Sequence, residues 1–472
     1  MRQLGAIDAD MLYAETAASH LHVGALLVLD PSSAPLGFGL EAWKRLVEAH
    51  VEHLPPLRQR LVEVPLGLDR PWWVEDEHFH VDRHVRRVAV PAPGGPRELA
   101  ALVSDLSSYK LDRSGPLWEM WYVEGLAEER VAVLFRIHHA CVDGMAGALM
   151  LGRILTPDAS TAPPPARPVA FGPHAPRERI PSNAELVWRS LPALAATPLR
   201  AARTLRHTVA SVREVLRLRA SPAWTGTPLP FHAPRTSLNQ PVTPRRSFAF
   251  ASVPIADVKE LKRALDVKVN DVVLALCAGA LRRYLVARGE LPREPLVAAV
   301  PVSVRSGEEL DGFGNVVSGM FATLATHVDD PVARVRAIAE GAARAKQLFT
   351  SGVENAAMEW AGVASPGVVA VASRLASVLD VSARMPLPFN LLVSNVPGPP
   401  VSLYAAGARL EACYPMGPVL GNVGLNITVL SHGERVDFGL LSCPDVVPDL
   451  AQIAHGIPEA LAELRAAVEA HA

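Results

Sequence analysis

A break in the chain constrains its fold more than any other feature. From Thr156 to Pro181 it reads TPDASTAPPPARPVAFGPHAPRERIP. Proline at that density lacks the N–H groups and the φ range that a helix interior or a central strand needs. A second punctuated stretch, Ser221 to Arg246, precedes a strand-like run at Ser247–Val253. The 472 residues therefore divide into an N-terminal unit (1–155), a bridge (156–246) and a C-terminal unit (247–472). At roughly 100–200 residues per domain this predicts two domains or more. Hydrophobic residues make up 49% of the chain, enough for a core in each, and no internal repeat is evident.

Between the breaks, strands and helices are mixed. Val131–Ile137 (VAVLFRI) reads as a strand interrupted only by Arg136. Asp271–Arg288 reads as a helix with Asn270 as N-cap and Gly289 just past its end. Leu296–Ser303 is strand-like, with Pro301 marking an edge or bulge. Pro331–Gln347 is helical in pattern, with proline where a missing N–H costs nothing. The mixture predicts an α/β or α+β fold, sheets covered by helices.

The bridge holds a basic amphipathic segment. Between Glu185 and Arg219, seven arginines (Arg189, Arg200, Arg203, Arg206, Arg213, Arg217, Arg219) face two acids, Glu185 and Glu214, a balance of +5. Leu199, Ala202, Leu205, Val209, Val212 and Leu216 recur at three- and four-residue steps. Such a helix suits an anionic lipid surface. The plainer alternative is a surface helix packed on its own domain.

Charge and cysteines narrow the function. A net charge of −2 argues against a general nucleic-acid binder. Cys141, Cys277, Cys413 and Cys443 are scattered without a CxxC pair, which predicts reduced thiols and neither a disulfide framework nor a zinc site. The opening MRQLGAIDAD lacks an apolar core of signal-peptide length. No stretch reaches about 18 uncharged apolar residues. Together these predict a cytoplasmic protein whose membrane contact is peripheral.

The chemistry is concentrated in Phe135–Gly147, FRIHHACVDGMAG. Two histidines end a strand, and Asp143-Gly144 follows at a turn into a helix. Neighbouring residues of an extended segment point to opposite faces, so one of His138 and His139 faces a cavity while the other packs inward. A histidine so placed suits general-base work. On the residues alone, a purely structural pair, a metal site and a Cys141–His139 thiol nucleophile stay open beside it. HHxxxD lacks the i, i+4 histidines of HExxH, and no local cysteine-protease signature surrounds Cys141. His78, His80 and His84 also have a metal-like look, but the structural reading is preferred because no clear fourth ligand accompanies them.

HHACVDG at 138–144 is an HHxxxDG motif. Around it stand Asp8-Ala-Asp-Met, Glu15, His22-Val-Gly, Pro116-Leu-Trp-Glu119, Val269-Asn-Asp271 and Pro301-Val-Ser-Val-Arg305. Phe313-Gly-Asn315, Ser394-Asn-Val-Pro-Gly-Pro399, Gly424-Leu-Asn-Ile-Thr428, Phe438-Gly and Pro448-Asp449 follow. In that order these resemble bacterial wax ester synthase/diacylglycerol acyltransferases, of the CoA-dependent acyltransferase superfamily, over nearly the whole chain.

The resemblance implies two chloramphenicol-acetyltransferase-like sheet-and-helix domains forming a pseudo-dimer with a tunnel between them. It implies long-chain acyl transfer from acyl-CoA, as co-substrate, to diacylglycerol and, as a second acceptor class, fatty alcohols. Neither cofactor nor metal is implied, and the protein would work peripherally at a membrane or lipid-droplet surface. His139 would be the general base with no acyl-enzyme, and His138 a supporting residue. Asp143, beside Gly144, would pair with Arg305 and fix the loop. Asn270 and Asp271 would cap a helix and shape the site, Trp118 would anchor packing, and Ser394 and Asn395 would sit on a rigid loop as turn support or as donors to substrate. Rival readings are the same fold acting on a glycolipid or polyketide alcohol, a non-catalytic lipid binder, and a metal-dependent hydrolase using His138, His139 and Asp143.

Overall fold

The computed structural model describes residues 1–35, 37–159, 179–219, 233–303, 315, 317–350, 363–378 and 387–471. Most of the first proline-rich run, much of the second, and Arg305 lie outside these described residues.

Two six-stranded mixed sheets carry the fold. The first runs β12 (Tyr404–Ala405), β13 (Ala408–Met416), β2 (His22–Asp30), β7 (Val131–His138), β6 (Trp118–Glu124), β5 (Val85–Ala89). The second runs β10 (Val317–Thr323), β9 (Val297–Ser303), β11 (Leu391–Pro397), β14 (Leu425–His432), β15 (Arg435–Ser442), β8 (Ser247–Pro254). A small sheet of β1 (Arg2–Gln3), β4 (Trp72–Glu75) and β3 (Gln59–Val62) lies apart. The expected two-domain α/β architecture is therefore present.

The two halves are not separate in the chain. β13 comes from the C-terminal unit yet pairs antiparallel with β2, Leu26 opposite Tyr414 and Ala25 opposite Pro415. The crossing strand passes so close to the second sheet that a Cβ on Gly439 would lie 1.8 Å from the Pro415 carbonyl oxygen. Only glycine permits that approach. A boundary drawn from proline content misses this exchange, because composition does not say which sheet a strand joins.

β7 shows why its sequence is almost wholly apolar. It lies between β2 and β6, and seven of its eight residues are buried. Its one interruption, Arg136, is buried but partnered: Nη1 donates to Glu119 on β6 at 2.6 Å, and Nη2 to His22 Nδ1 on β2 at 2.9 Å. The strand at 297–303, the helix Pro331–Thr350 and the strand at 247–254 match expectation. β9 pairs with β11 only at Ala298 and Ala299, so Pro301 falls where that ladder has already stopped.

One cap is corrected. The helix at 269–287 begins two residues earlier than Asn270 as cap would allow, with Lys268 as N-cap. Asp271 reaches back and accepts the Lys268 N–H at 2.9 Å. An acid at the third helical position thus decides the start, while Asn270 lies inside the first turn. Gly289, at φ +66°, follows the helix end as expected.

The bridge helix runs Asn183–Arg219. Leu186 and Ser190 are buried at its start, while Trp188, Leu191, Leu199, Leu205 and Val209 are exposed. The beginning docks, and most of the apolar face found in the sequence does not.

Candidate active site

β7 ends at His138, so His139 stands just beyond the sheet ladder. Its N–H donates to the Leu21 carbonyl at 2.8 Å. Leu21 has φ +51°, an uncommon backbone for a non-glycine residue and one concentrated at functional sites. The His139 carbonyl accepts from Asn315 Nδ2 at 2.6 Å. The loop then turns into the helix Gly144–Ile154, whose N-cap is Asp143; its carboxylate accepts the Ala146 N–H at 2.8 Å. Gly144 packs against β11, where a Cβ would meet Val396 at 3.2 Å.

The two histidines part as alternation predicts. His138 is 1% exposed and faces the protein body. Its Nδ1 accepts the Ala140 N–H at 3.0 Å, and its Nε2 lies 3.6 Å from Glu15. Burial opposes ionisation of Glu15, but His138 and the Arg113 guanidinium outweigh it and hold the carboxyl at about 2. Arg113 bonds that carboxylate directly, and Lys110 lies 3.1 Å away.

His139 lines a cavity of about 540 Å³. Its Nδ1 is buried with no hydrogen-bond partner among the described residues. Burial lowers the imidazole pKa below 6.5, against the opposing pull of Asp143 and Asp8. Burial thus favours the neutral ring, the form a base requires. The cavity is walled by Ile7, Met11 and Ala14, by Val23, Phe135 and Ile137, and by Leu392, Val396 and Leu430. Its few polar groups include Ser394, Asn426 and Thr428. A larger cleft of about 1090 Å³ lies elsewhere, lined by Arg130, Arg409, Glu411 and Arg435. It contains no residue of the HHxxxDG loop, so the smaller cavity is the one onto which that loop opens.

The remaining expected residues fall in three places. Ser394 and Asn395 lie within β11, not on a loop: the chain stays paired with β14 through Pro397. Ser394 faces the cavity. Asn395 donates to Asn270 Oδ1 at 3.1 Å, joining the two motifs. Trp118 is 2% exposed, donates to the Leu57 carbonyl and stacks on His84 at 4.6 Å, a packing anchor. Arg305 lies outside the described residues.

The rival chemistries lack their geometry here. Cys141 is buried behind the cavity wall, where burial pushes its thiol pKa up. His78 and His80 are exposed while His84 is held by Trp118. Among the described residues no group of three or more His, Cys, Asp or Glu is arranged to hold a metal.

Residues without an assigned role in the sequence also converge on the site. Asn426 and Thr428 bond each other at 2.7 Å in the cavity wall. Asp8 is bound to Asn315 at 2.7 Å. All four stand in motifs of the resemblance, the one signal that pointed to them.

Comparison with known proteins gives a consistent family. Residues 4–273 match the wax ester synthase/diacylglycerol acyltransferase catalytic domain, and residues 313–465 the C-terminal domain of the same family. Two Mycobacterium tuberculosis proteins provisionally named diacylglycerol O-acyltransferases are similar throughout. Rv1760 is 40% identical over 98% of this chain and 90% of its own. Tgs2 is 35% identical over 98% of each. A solved wax ester synthase/diacylglycerol acyltransferase from Marinobacter aquaeolei VT8 superposes with a TM-score of 0.72 at 30% identity, covering 99% of this chain and 100% of that one. The starter condensation domain of rhizomide synthetase shares the fold, with a TM-score of 0.55 at 15% identity over 98% and 94% of the chains. With both family domains matched along its length, this chain belongs to the wax ester synthase/diacylglycerol acyltransferase family.

Proposed function

We propose that the protein transfers a long-chain acyl group from acyl-CoA to the free hydroxyl of diacylglycerol, forming triacylglycerol, and to fatty alcohols as a second acceptor class. The observation that carries this reading is the neutral His139 in the wall of a predominantly apolar cavity. Both acceptors join one hydroxyl to long hydrocarbon, which such walls suit.

With Nδ1 buried, the atom we assign to accept the proton is Nε2. It takes the hydroxyl proton as the oxygen attacks the thioester carbonyl. The tetrahedral intermediate collapses, the carbon–sulfur bond breaks, and the imidazolium returns the proton to the departing CoA thiolate. A positioned base of this kind contributes about 10²–10⁴-fold. Ser394, whose hydroxyl has no partner among the described residues, is the donor we assign to the oxyanion. His138 and Glu15 support the loop from below. Asp143 holds its far end through the helix cap, and its partnership with Arg305 belongs to the same proposal. No metal enters the scheme.

An interfacial location follows from the substrates, which partition into lipid. The exposed Trp188, Leu199, Leu205 and Val209, with Arg203, Arg206, Arg213 and Arg217 also exposed on the same helix, favour the anionic-surface reading of the bridge. Among the described residues no helix is long and apolar enough to cross a membrane.

The acceptor is tested by offering palmitoyl-CoA with diacylglycerol and hexadecanol in parallel. Triacylglycerol as a product supports the reading. Ester from neither acceptor, with the protein folded, moves the assignment to another hydroxyl substrate or to lipid binding without turnover.

A further inference from the structure

The sheet ladder ends at His138, one residue before the base, so something else has to hold the main chain of His139. Its N–H is taken by Leu21. Its carbonyl is taken by a residue 176 positions away, Asn315, through Nδ2 at 2.6 Å. The second proton of that amide goes to Asp8 Oδ1 at 2.7 Å, and the Asn315 main-chain N–H donates to the same oxygen at 3.0 Å. Asp8 is 5% exposed and Asn315 9%. Three segments thus meet in one buried cluster: the helix Ala6–Ala14, the HHxxxDG loop and the chain just before β10.

The orientation of the amide is dictated by its neighbours. Turning it over would set Oδ1 against a carboxylate and a carbonyl, three acceptors without a proton between them. As it stands, both amide protons are used and Oδ1 has no partner among the described residues. The helix that supplies Asp8 also supplies Ile7, Met11 and Ala14 to the cavity wall.

We propose that Asp8 and Asn315 are positioning residues for His139, Asp8 orienting the Asn315 amide and the amide fixing the carbonyl of the base. The inference rests on His139 as base, and His139→Ala is measured alongside so that the two ideas fail separately. A misplacement of about 1 Å at a reacting group costs up to about 10²-fold. Asn315→Ala is therefore expected to lower kcat about 10–100-fold with KM for acyl-CoA within about twofold of wild type, because the cavity walls are untouched. Asp8→Asn keeps the shape and still accepts both N–H groups. A neutral acceptor is the weaker one, so a loss of about 3–10-fold is expected.

The exchange Asp8→Asn/Asn315→Asp separates positioning from stapling. The new amide at position 8 donates to the new carboxylate at 315, which restores the link between the segments. A carboxylate at 315 has no proton for the His139 carbonyl. The double variant should therefore melt above the single Asn315→Asp variant while its kcat stays as low. Recovery of wild-type kcat together with the melting temperature would overturn the proposal, leaving the pair a staple. So would wild-type kcat in both Asn315→Ala and Asp8→Asn. Ester formation that survives His139→Ala would instead overturn the assignment of the base.

Discussion

Asn395 on β11 donates through Nδ2 to Oδ1 of Asn270, 125 residues earlier, over 3.1 Å. The bond ties a strand of the second sheet to the first turn of the Val269–Ala287 helix, beside the point where Ser394 enters the cavity. Removing the donor leaves a half-buried acceptor unpaired. Asn395→Ala should lower stability by about 1 kcal/mol, read as a shift of the denaturation midpoint. An unchanged midpoint would mean that the contact contributes nothing.

Asp143 caps the helix that follows His139. Its replacement by alanine removes the bond to the Ala146 N–H and should cost about 1 kcal/mol or more. Because the cap fixes the far end of the loop, ester formation should fall as well. An Asp143→Ala enzyme with full stability and full rate would show that the loop holds its shape without the carboxylate.

Acid should weaken the protein in a defined window. Burial lowers the imidazole pKa of His22, His138 and His139 below 6.5, and burial with the nearby Arg246 charge lowers that of His20 to about 4. The unfolded chain then binds more protons than the folded one below pH 6.5, so stability is lost as pH falls from there toward 4. Glu15, held at about 2, acts in the same direction below its unfolded value of 4.5. Melting temperature should fall steadily from pH 7 to pH 4. The acid limb of kcat/KM should lie below pH 6.5, where His139 takes up its proton. A limb at pH 7 or above would assign the base to another group.

The bridge helix makes a separate prediction. Changing Arg203, Arg206, Arg213 and Arg217 to glutamine should reduce flotation of the protein with vesicles containing anionic lipid, and salt should reduce wild-type flotation similarly. Unchanged binding would discard this helix as the anchor.

Several of these features were legible in the amino-acid sequence because they are local. The run VAVLFRI, the paired histidines and the Asp-Gly turn specify a strand, a loop and a helix start within 17 residues, and alternation separates His139 from His138 without any tertiary information. Long-range placement was not legible. β13 joins the first sheet although it lies beyond both proline-rich breaks, since register between distant strands leaves no periodic mark. Ser394 and Asn395 were expected on a loop because Pro-Gly-Pro follows them, yet pairing with β14 carries the strand through Pro397. At Lys268 the reach of Asp271 overrode the general preference of asparagine for a cap. The tie of Asp8 to Asn315 spans 307 residues, and only folding brings them together.

The most direct test of the central claim follows CoA thiol release from palmitoyl-CoA, with diacylglycerol present or absent, in wild type and His139→Ala. Direct attack by the acceptor predicts release that requires diacylglycerol, matches the triacylglycerol formed, and falls by about 10²–10⁴-fold in the variant. Release in a stoichiometric burst without acceptor would reveal an acyl-enzyme, and undiminished release in His139→Ala would remove the histidine from the mechanism; either result contradicts the account.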